Sequence, residues 1–330
     1  MIQRCIATVQ VPPVGLGCMG MSEFYGPTDD AHSLETLKLA FELGIRHFDT
    51  ADMYGIGHNE KLLAQFIKLL GADRRQLFLA TKFGVVRDPE NPRARKYNGR
   101  PDYVKKACDA SLMRLGVDHI SLYYLHRVDP DVPIEETVGA MGELVAAGKI
   151  GAAGLSEANA DTIKRALREH PVAAIQSEYS LWTRDVEREI LPLCRENGMA
   201  FVAYSPLGRG FLTARIRARE QLADNDFRRN APRFADGNFD ANLKMADRIS
   251  AYANKLKCTP AQLCIAWVLA QGEFMHAIPG TKRSKYVEEN FHALDVQLSK
   301  EDLAELNEIA PLGAAAGDRY PAEAMKTVNR

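Results

Sequence analysis

Apolar runs of four to six residues alternate with amphipathic stretches along most of the chain. The runs read as buried strands: Val14–Cys18, Arg46–Thr50, Leu77–Lys82, Ser121–His126, Ile150–Leu155, Ala173–Glu178, Ala200–Ser205 and Met275–Pro279. Between them, apolar residues recur at helical spacing over Ala31–Leu43, Asn59–Leu70, Asp102–Leu115, Ile134–Ala147, Ala160–Glu169 and Val186–Asn197. Gly44, Gly71, Gly116, Gly148 and Gly198 follow five of these stretches, where left-handed helix caps occur. Pro101 stands where a first-turn proline is tolerated, and Ser299 with Asp302 forms a helix-start pair. Strand and helix alternating without a break predict one (β/α)8 barrel over residues 1–330. A doubly wound open sheet has the same periodicity and stays open as the rival.

Two segments leave this rhythm. Residues 208–242 hold no clean strand, and the polar run RRNAPRFADGNFDAN predicts a long functional loop, followed by helices over Asn242–Leu256 and Pro260–Ala270. Residues 311–330 form a Gly/Ala-rich tail that either covers the barrel mouth or is loose.

Composition narrows the function. Hydrophobic residues make up 46% of the 330, enough for a large core, and the net charge of −1 gives no support for a nucleic-acid or anionic-membrane partner. No apolar run is long enough to span a bilayer. The six cysteines are scattered without C-x-x-C spacing and read as reduced thiols in a cytoplasmic protein. No metal-ligand spacing is evident. Nothing fixes the oligomeric state.

The segment Gly15-Leu16-Gly17-Cys18-Met19-Gly20 matches G-x-G-x-x-G, a dinucleotide signature only when a helix follows directly. Loop chemistry follows here, in Met21–Pro27. The glycines read instead as part of a first barrel strand that a ligand approaches closely.

Asp49, Lys82 and His126 each close an apolar run, and Tyr54 follows Asp49 by five residues. Taken singly, each has a bland role as cap, loop residue or core histidine. Lys82 is the hardest to dismiss, because an ammonium ending an apolar strand needs a partner, and Asp49 is the natural one. Together they make a proton-transfer site. An ammonium beside a phenol lowers its pKa, a carboxylate holds the ammonium, and an imidazole orients a carbonyl. Without a redox metal, the matching hydride comes from an organic cofactor.

The motifs DTADMYG (49–55), ATKFG (80–84), YYLHRVDP (123–130), GLSEA (154–158), IQSEYSLW (175–182), AYSPLGRGFLT (203–213) and IPGTKR with EEN (278–290) resemble, in order and in combination, those of the aldo-keto reductases, in particular a long-chain bacterial and plant branch. The resemblance implies a barrel that reduces aldehydes and ketones with NADPH, as an alcohol dehydrogenase-type enzyme. It places the proton donor on Tyr54, the ammonium on Lys82, the carboxylate on Asp49 and the imidazole on His126. It implies that Ser156 and Gln176 meet the nicotinamide carboxamide and that Tyr204 stacks on the ring. Ser205, Pro206, Leu207 and Gly210 then line the pyrophosphate. Gly280, Thr281, Lys282 and Arg283 meet the 2′-phosphate, and Glu289 and Asn290 lie near the adenine. The 208–242 loop is expected over the cofactor.

Two positions depart from that pattern. Glu157 replaces an asparagine, which shifts a carboxamide contact to the backbone or to Asn159. Tyr286 replaces an arginine, which leaves NADP preference to Lys282, Arg283 and one of Arg228 or Arg229. Phe24, Tyr25, Phe83, Val85, Arg127, Trp182 and the tail are expected to wall the substrate site. The same resemblance extends to NADPH-binding regulatory or redox-sensing subunits with slow turnover, which is the alternative function. A Schiff base on Lys82 is a further one.

Overall fold

In a computed structural model, which describes residues 2–88, 90 and 95–328, eight parallel strands form one sheet. They are β1 (Leu16–Gly17), β2 (His47–Asp49), β3 (Phe78–Phe83), β4 (Leu122–Leu125), β5 (Ala153–Ser156), β6 (Val172–Glu178), β7 (Ala200–Tyr204) and β8 (Met275–Ile278). Each strand pairs with the next in the chain, and bridges Val14–Ala277 and Gly17–Gly280 join the first to the last. The fold is therefore a (β/α)8 barrel, and the open-sheet rival is excluded by that closure.

The connecting helices are α1 (Asp30–Leu43), α2 (His58–Leu70), α3 (Pro101–Leu115), α4 (Ile134–Ala146), α5 (Ala160–Glu169), α6 (Ile190–Glu196), α7 (Asn238–Lys255), α8 (Pro260–Leu269) and α9 (Ser284–Phe291); α10 (Lys300–Ile309) and α11 (Ala322–Met325) follow. Their ends behave as the side chains dictate. Gly44 takes φ 107° beyond α1, and the Ser299 side chain and Asp302 cap α10 reciprocally. Two expectations need correction. Val186 belongs to a short 3₁₀ turn, so α6 starts only at Ile190. The irregular run after Gly208 is built from 3₁₀ turns and ends early, because α7 begins at Asn238.

Alternation along the strands sets up the site. Phe78, Ala80, Leu122, Tyr124, Ala152, Ala174, Ala200, Val202 and Ile278 form one apolar cluster with Ile6 and Val11, from a hairpin of Arg4–Ile6 and Val9–Val11. Side chains two residues apart share a face, so Lys82, His126, Ser156, Gln176 and Tyr204 continue the same inward rows toward the C-terminal ends of the strands. Size is matched across this layer: a Cβ at Gly154 would lie 2.5 Å from the Tyr124 ring. Gly15 and Gly17 meet a similar demand. A Cβ there would lie 2.9 Å from the backbone oxygens of His47 and Ile278. The first glycine motif thus serves strand contact as well as any ligand approach, and α1 begins only at Asp30.

Candidate active site

The four strand-end residues converge. Asp49 is the last residue of β2, Lys82 lies one before the end of β3, and His126 follows β4 directly. The ladder extends into the loops: Thr50 N–H donates to Ala80 O (2.9 Å), Asp52 N–H to Lys82 O (3.0 Å) and His126 N–H to Phe83 O (2.8 Å). The turn after β2 then brings Tyr54 back over the barrel. Lys82 is fully buried, while Asp49, His126 and Tyr54 retain 3%, 7% and 8% exposure.

The Lys82 ammonium donates to Asp49 Oδ1, to Thr50 O at 2.8 Å and to the Tyr54 hydroxyl at 3.5 Å. Gln176 donates from Nε2 to the other Asp49 oxygen at 2.8 Å. The rings of Tyr54 and His126 meet edge to face, 5.7 Å apart. Burial pushes Asp49 up and Lys82 down, each opposed by its partner's charge. The Tyr54 phenol departs from expectation: it is held well above the ordinary tyrosine value by burial, with the Asp49 charge adding and Arg127 opposing. The Lys82 ammonium, 3.5 Å away and in direct contact with Asp49, is not among the larger influences on the resting phenol.

Asp49, Tyr54 and His126 open onto a cavity of about 1100 Å³. Its wall includes Ser156, Gln176, Tyr204, Ser205, Pro206, Leu207 and Gly210, then Gly280, Thr281, Lys282, Arg283, Glu289 and Asn290. Every residue expected to hold a cofactor thus lies on one surface that runs from the quartet to the start of α9. The donor chemistry at the far end suits a phosphate. Among the described residues, neither Lys282 nor Arg283 has a carboxylate in salt-bridge contact, and the first amides of α9 lie beside them. Lys282 donates to the carbonyls of Tyr25 (2.8 Å) and Pro27, so it also ties the loop after β1 across the cavity. Glu289 is held by Arg215 through two bonds of 2.7 and 2.9 Å. Arg228 reaches the cavity but is bound by Asp226. Arg229 is instead bonded to Leu222 O and faces Asp224. Asn159 caps α5, accepting from Thr162 N–H at 2.8 Å.

The substrate end is walled by Met19, Phe24, Met53, Tyr97, Phe227 and Tyr320 as well as Tyr25, Val85 and Arg127. Two expected wall residues lie elsewhere. Phe83 is fully buried against Tyr123, and Trp182 packs on Phe211 and Phe234 under Gly208.

Sequence reasoning missed a buried ion cluster beneath the tail. The Glu157 side chain turns away from the cavity, accepts from Glu178 N–H at 3.0 Å and pairs with Arg319. Glu178 in turn accepts from Arg209 (2.8 Å) and Arg233 (3.3 Å), and Arg209 donates to Arg319 O (2.9 Å). Next in the chain, the Tyr320 hydroxyl lies 3.0 Å from that of Tyr204. The described part of the tail, to Val328, is therefore fastened over the mouth. Two glutamates at the ends of apolar strands were the available signal. Ser205 and Arg209 in the cavity wall, and Glu157 beside it, hold left-handed backbones with φ of 51°, 59° and 55°, a local strain that functional sites often store.

A model of the aldo/keto reductase family matches residues 13–311. The chain belongs to the aldo/keto reductase family. It is 44% identical over 321 residues to a Schizosaccharomyces pombe protein named aldo-keto reductase yakc, NADP(+), covering 96% of this chain and 94% of that one. It is 46% identical over 314 residues to a probable aldo-keto reductase 1 of Glycine max, covering 94% and 89%. Its fold superposes on the glycerol dehydrogenase of Gluconobacter oxydans with a TM-score of 0.85 at 27% identity, over 93% and 94% of the two chains. Membership makes the chain an oxidoreductase. Among the described residues no helix is long and apolar enough to cross a membrane.

Proposed function

We propose that the chain reduces small aldehydes and ketones to alcohols with NADPH, in an alcohol dehydrogenase-type reaction. The observation that carries this reading is the Tyr54 hydroxyl, set in the cavity wall 3.5 Å from an ammonium that Asp49 and Thr50 hold.

When bound, NADPH supplies a hydride to the carbonyl carbon. Ser156, Gln176 and Tyr204 hold its nicotinamide end, Ser205, Pro206, Leu207 and Gly210 its pyrophosphate, and Gly280, Thr281, Lys282 and Arg283 its 2′-phosphate. Glu289 and Asn290 face its adenine. Tyr54 O–H donates its proton to the carbonyl oxygen as the carbon–oxygen π pair moves onto that oxygen. At neutral pH the phenol carries that proton, as an ordinary tyrosine already does. The Lys82 ammonium then steadies the phenolate, and solvent restores the proton. His126, edge-on to Tyr54, orients the carbonyl oxygen between the two rings. The apolar walls exclude water from the reacting atoms.

Replacing Tyr54 by Phe tests the reading. The loss in kcat should be about 10²- to 10⁴-fold, the usual contribution of a positioned general acid. Full reductase activity in that variant would remove Tyr54 from the role.

A further inference from the structure

Among the described residues seven cations line the cavity: Arg87, Arg127, Arg209, Arg215, Arg228, Lys282 and Arg283. Four are paired with carboxylates, namely Arg87 with Glu23, Arg209 with Glu178, Arg215 with Glu289 and Arg228 with Asp226. Lys282 and Arg283 stand after β8, at the phosphate end. Arg127 stands after β4, next to His126. In a closed ring of eight strands in chain order, β4 and β8 face each other across the mouth. An anion held at Arg283 is therefore not the one Arg127 meets.

Arg127 is also fixed in place. Its Nη1 donates to His126 O at 2.7 Å and to Ser156 Oγ at 3.3 Å, which clamps the guanidinium between the ends of β4 and β5. Among the described residues its Nε and Nη2 donate to no protein group, and neither is walled in by protein, so both remain available on the cavity side. Burial opposes the guanidinium's charge and the fields of Tyr204 and Glu157 offset it, but no carboxylate among the described residues is in salt-bridge contact with Arg127. Its planar fork matches a carboxylate bidentately. Its field already reaches the reacting group, since Arg127 opposes Asp49 in its effect on Tyr54.

Building on the proposed carbonyl reduction, we propose that Arg127 determines specificity by binding a carboxylate adjacent to the substrate carbonyl, which makes 2-oxo acids and similar anionic carbonyl compounds the preferred substrate class. The site then reads both ends of such a substrate. Tyr54 and His126 take the carbonyl oxygen, and Arg127 takes the carboxylate.

The test compares phenylglyoxylate with its neutral methyl ester in the full chain, in Arg127→Met and in Arg127→Lys. Both are followed by NADPH oxidation, with NADPH affinity measured separately by fluorescence titration. Removing a charge-assisted contact should lower kcat/KM for the anion about 10- to 100-fold more than for the ester in Arg127→Met. Arg127→Lys, which keeps the charge but loses the fork, should fall between. Equal losses for acid and ester in both variants would overturn the inference. So would a tenfold or greater weakening of NADPH, which would put Arg127 at the nicotinamide carboxamide through Ser156. A wild-type chain that reduces neither compound would overturn the carbonyl-reduction reading itself, and this inference with it.

Discussion

Gln176 and Lys82 hold opposite oxygens of Asp49: the amide donates to Oδ2 at 2.8 Å, and the ammonium donates to Oδ1. The carboxylate is buried, so each bond satisfies an oxygen that water does not reach. Gln176 is thus tied to the quartet as well as to the wall where the nicotinamide is proposed to sit. The two tasks suit different atoms of one amide, since its oxygen stays available while its nitrogen donates.

Replacing Gln176 by Leu keeps the volume and removes the donor. The orphaned Asp49 oxygen should cost about 1–3 kcal/mol of stability, read from urea unfolding of the chain without cofactor. A change within a few tenths of a kcal/mol would mean that Asp49 does not depend on this bond.

Glu157 and Arg319 make a second testable pair. Both are buried, and the cation's removal strands a carboxylate beside Glu178, at a cost of about 3–5 kcal/mol if nothing relaxes. Release of the tail is the cheaper outcome. In Arg319→Met, limited proteolysis should therefore cut within 311–328 while the barrel stays resistant, and combining it with Glu157→Gln should restore part of the protection. Unchanged cleavage in the single variant would show that the tail is held by other contacts.

The opposite end of the barrel carries an acid sensitivity. His47 packs edge-on to Phe78, and His276 Nε2 lies 3.3 Å from Cys5 O in the N-terminal hairpin. Burial pushes both rings down to about 3. Their folded values lie below the unfolded one, so their contribution is complete above pH ~6.5 and is lost as pH falls toward 3. Each should remove about 1.4 kcal/mol per pH unit within that window. His276→Gln should flatten the fall in urea midpoint between pH 6.5 and 4.5 relative to the unsubstituted chain. Parallel curves would assign the acid loss to other groups.

The strand ends were readable because apolar alternation has a period of two and the site lies on its inward rows. A polar residue that ends such a row, like Lys82 or His126, has nowhere to point but the mouth. The start of α7 was hidden because it begins at Gly237-Asn238 within a polar run that offers no capping side chain. The hairpin of Val85–Arg87 and Arg95–Tyr97, which adds Tyr97 to the cavity wall, is too short to leave a pattern. Glu157 was visible as an oddity, but its partner was not, since nothing local links it to Arg319. The state of Tyr54 was misread for a physical reason. Neighbouring strand ends suggested an ammonium acting on a phenol, with Asp49 holding the ammonium, and the structure adds the burial that outweighs both charges.

The fastening of the tail also has a temporal side. Its links join Glu157 to Arg319, Tyr204 to Tyr320 and Arg209 to Arg319, at sequence separations of 162, 116 and 110. Contacts between consecutive strands and helices close far shorter loops and form earlier on entropic grounds, whereas the closure of β1 on β8, from Val14 to Ala277, spans a longer one than any tail link. The consecutive strand and helix pairs therefore form before the mouth is finished. During refolding, far-UV ellipticity should recover ahead of catalysis, and the interval between them measures how long the scaffold waits for its last wall.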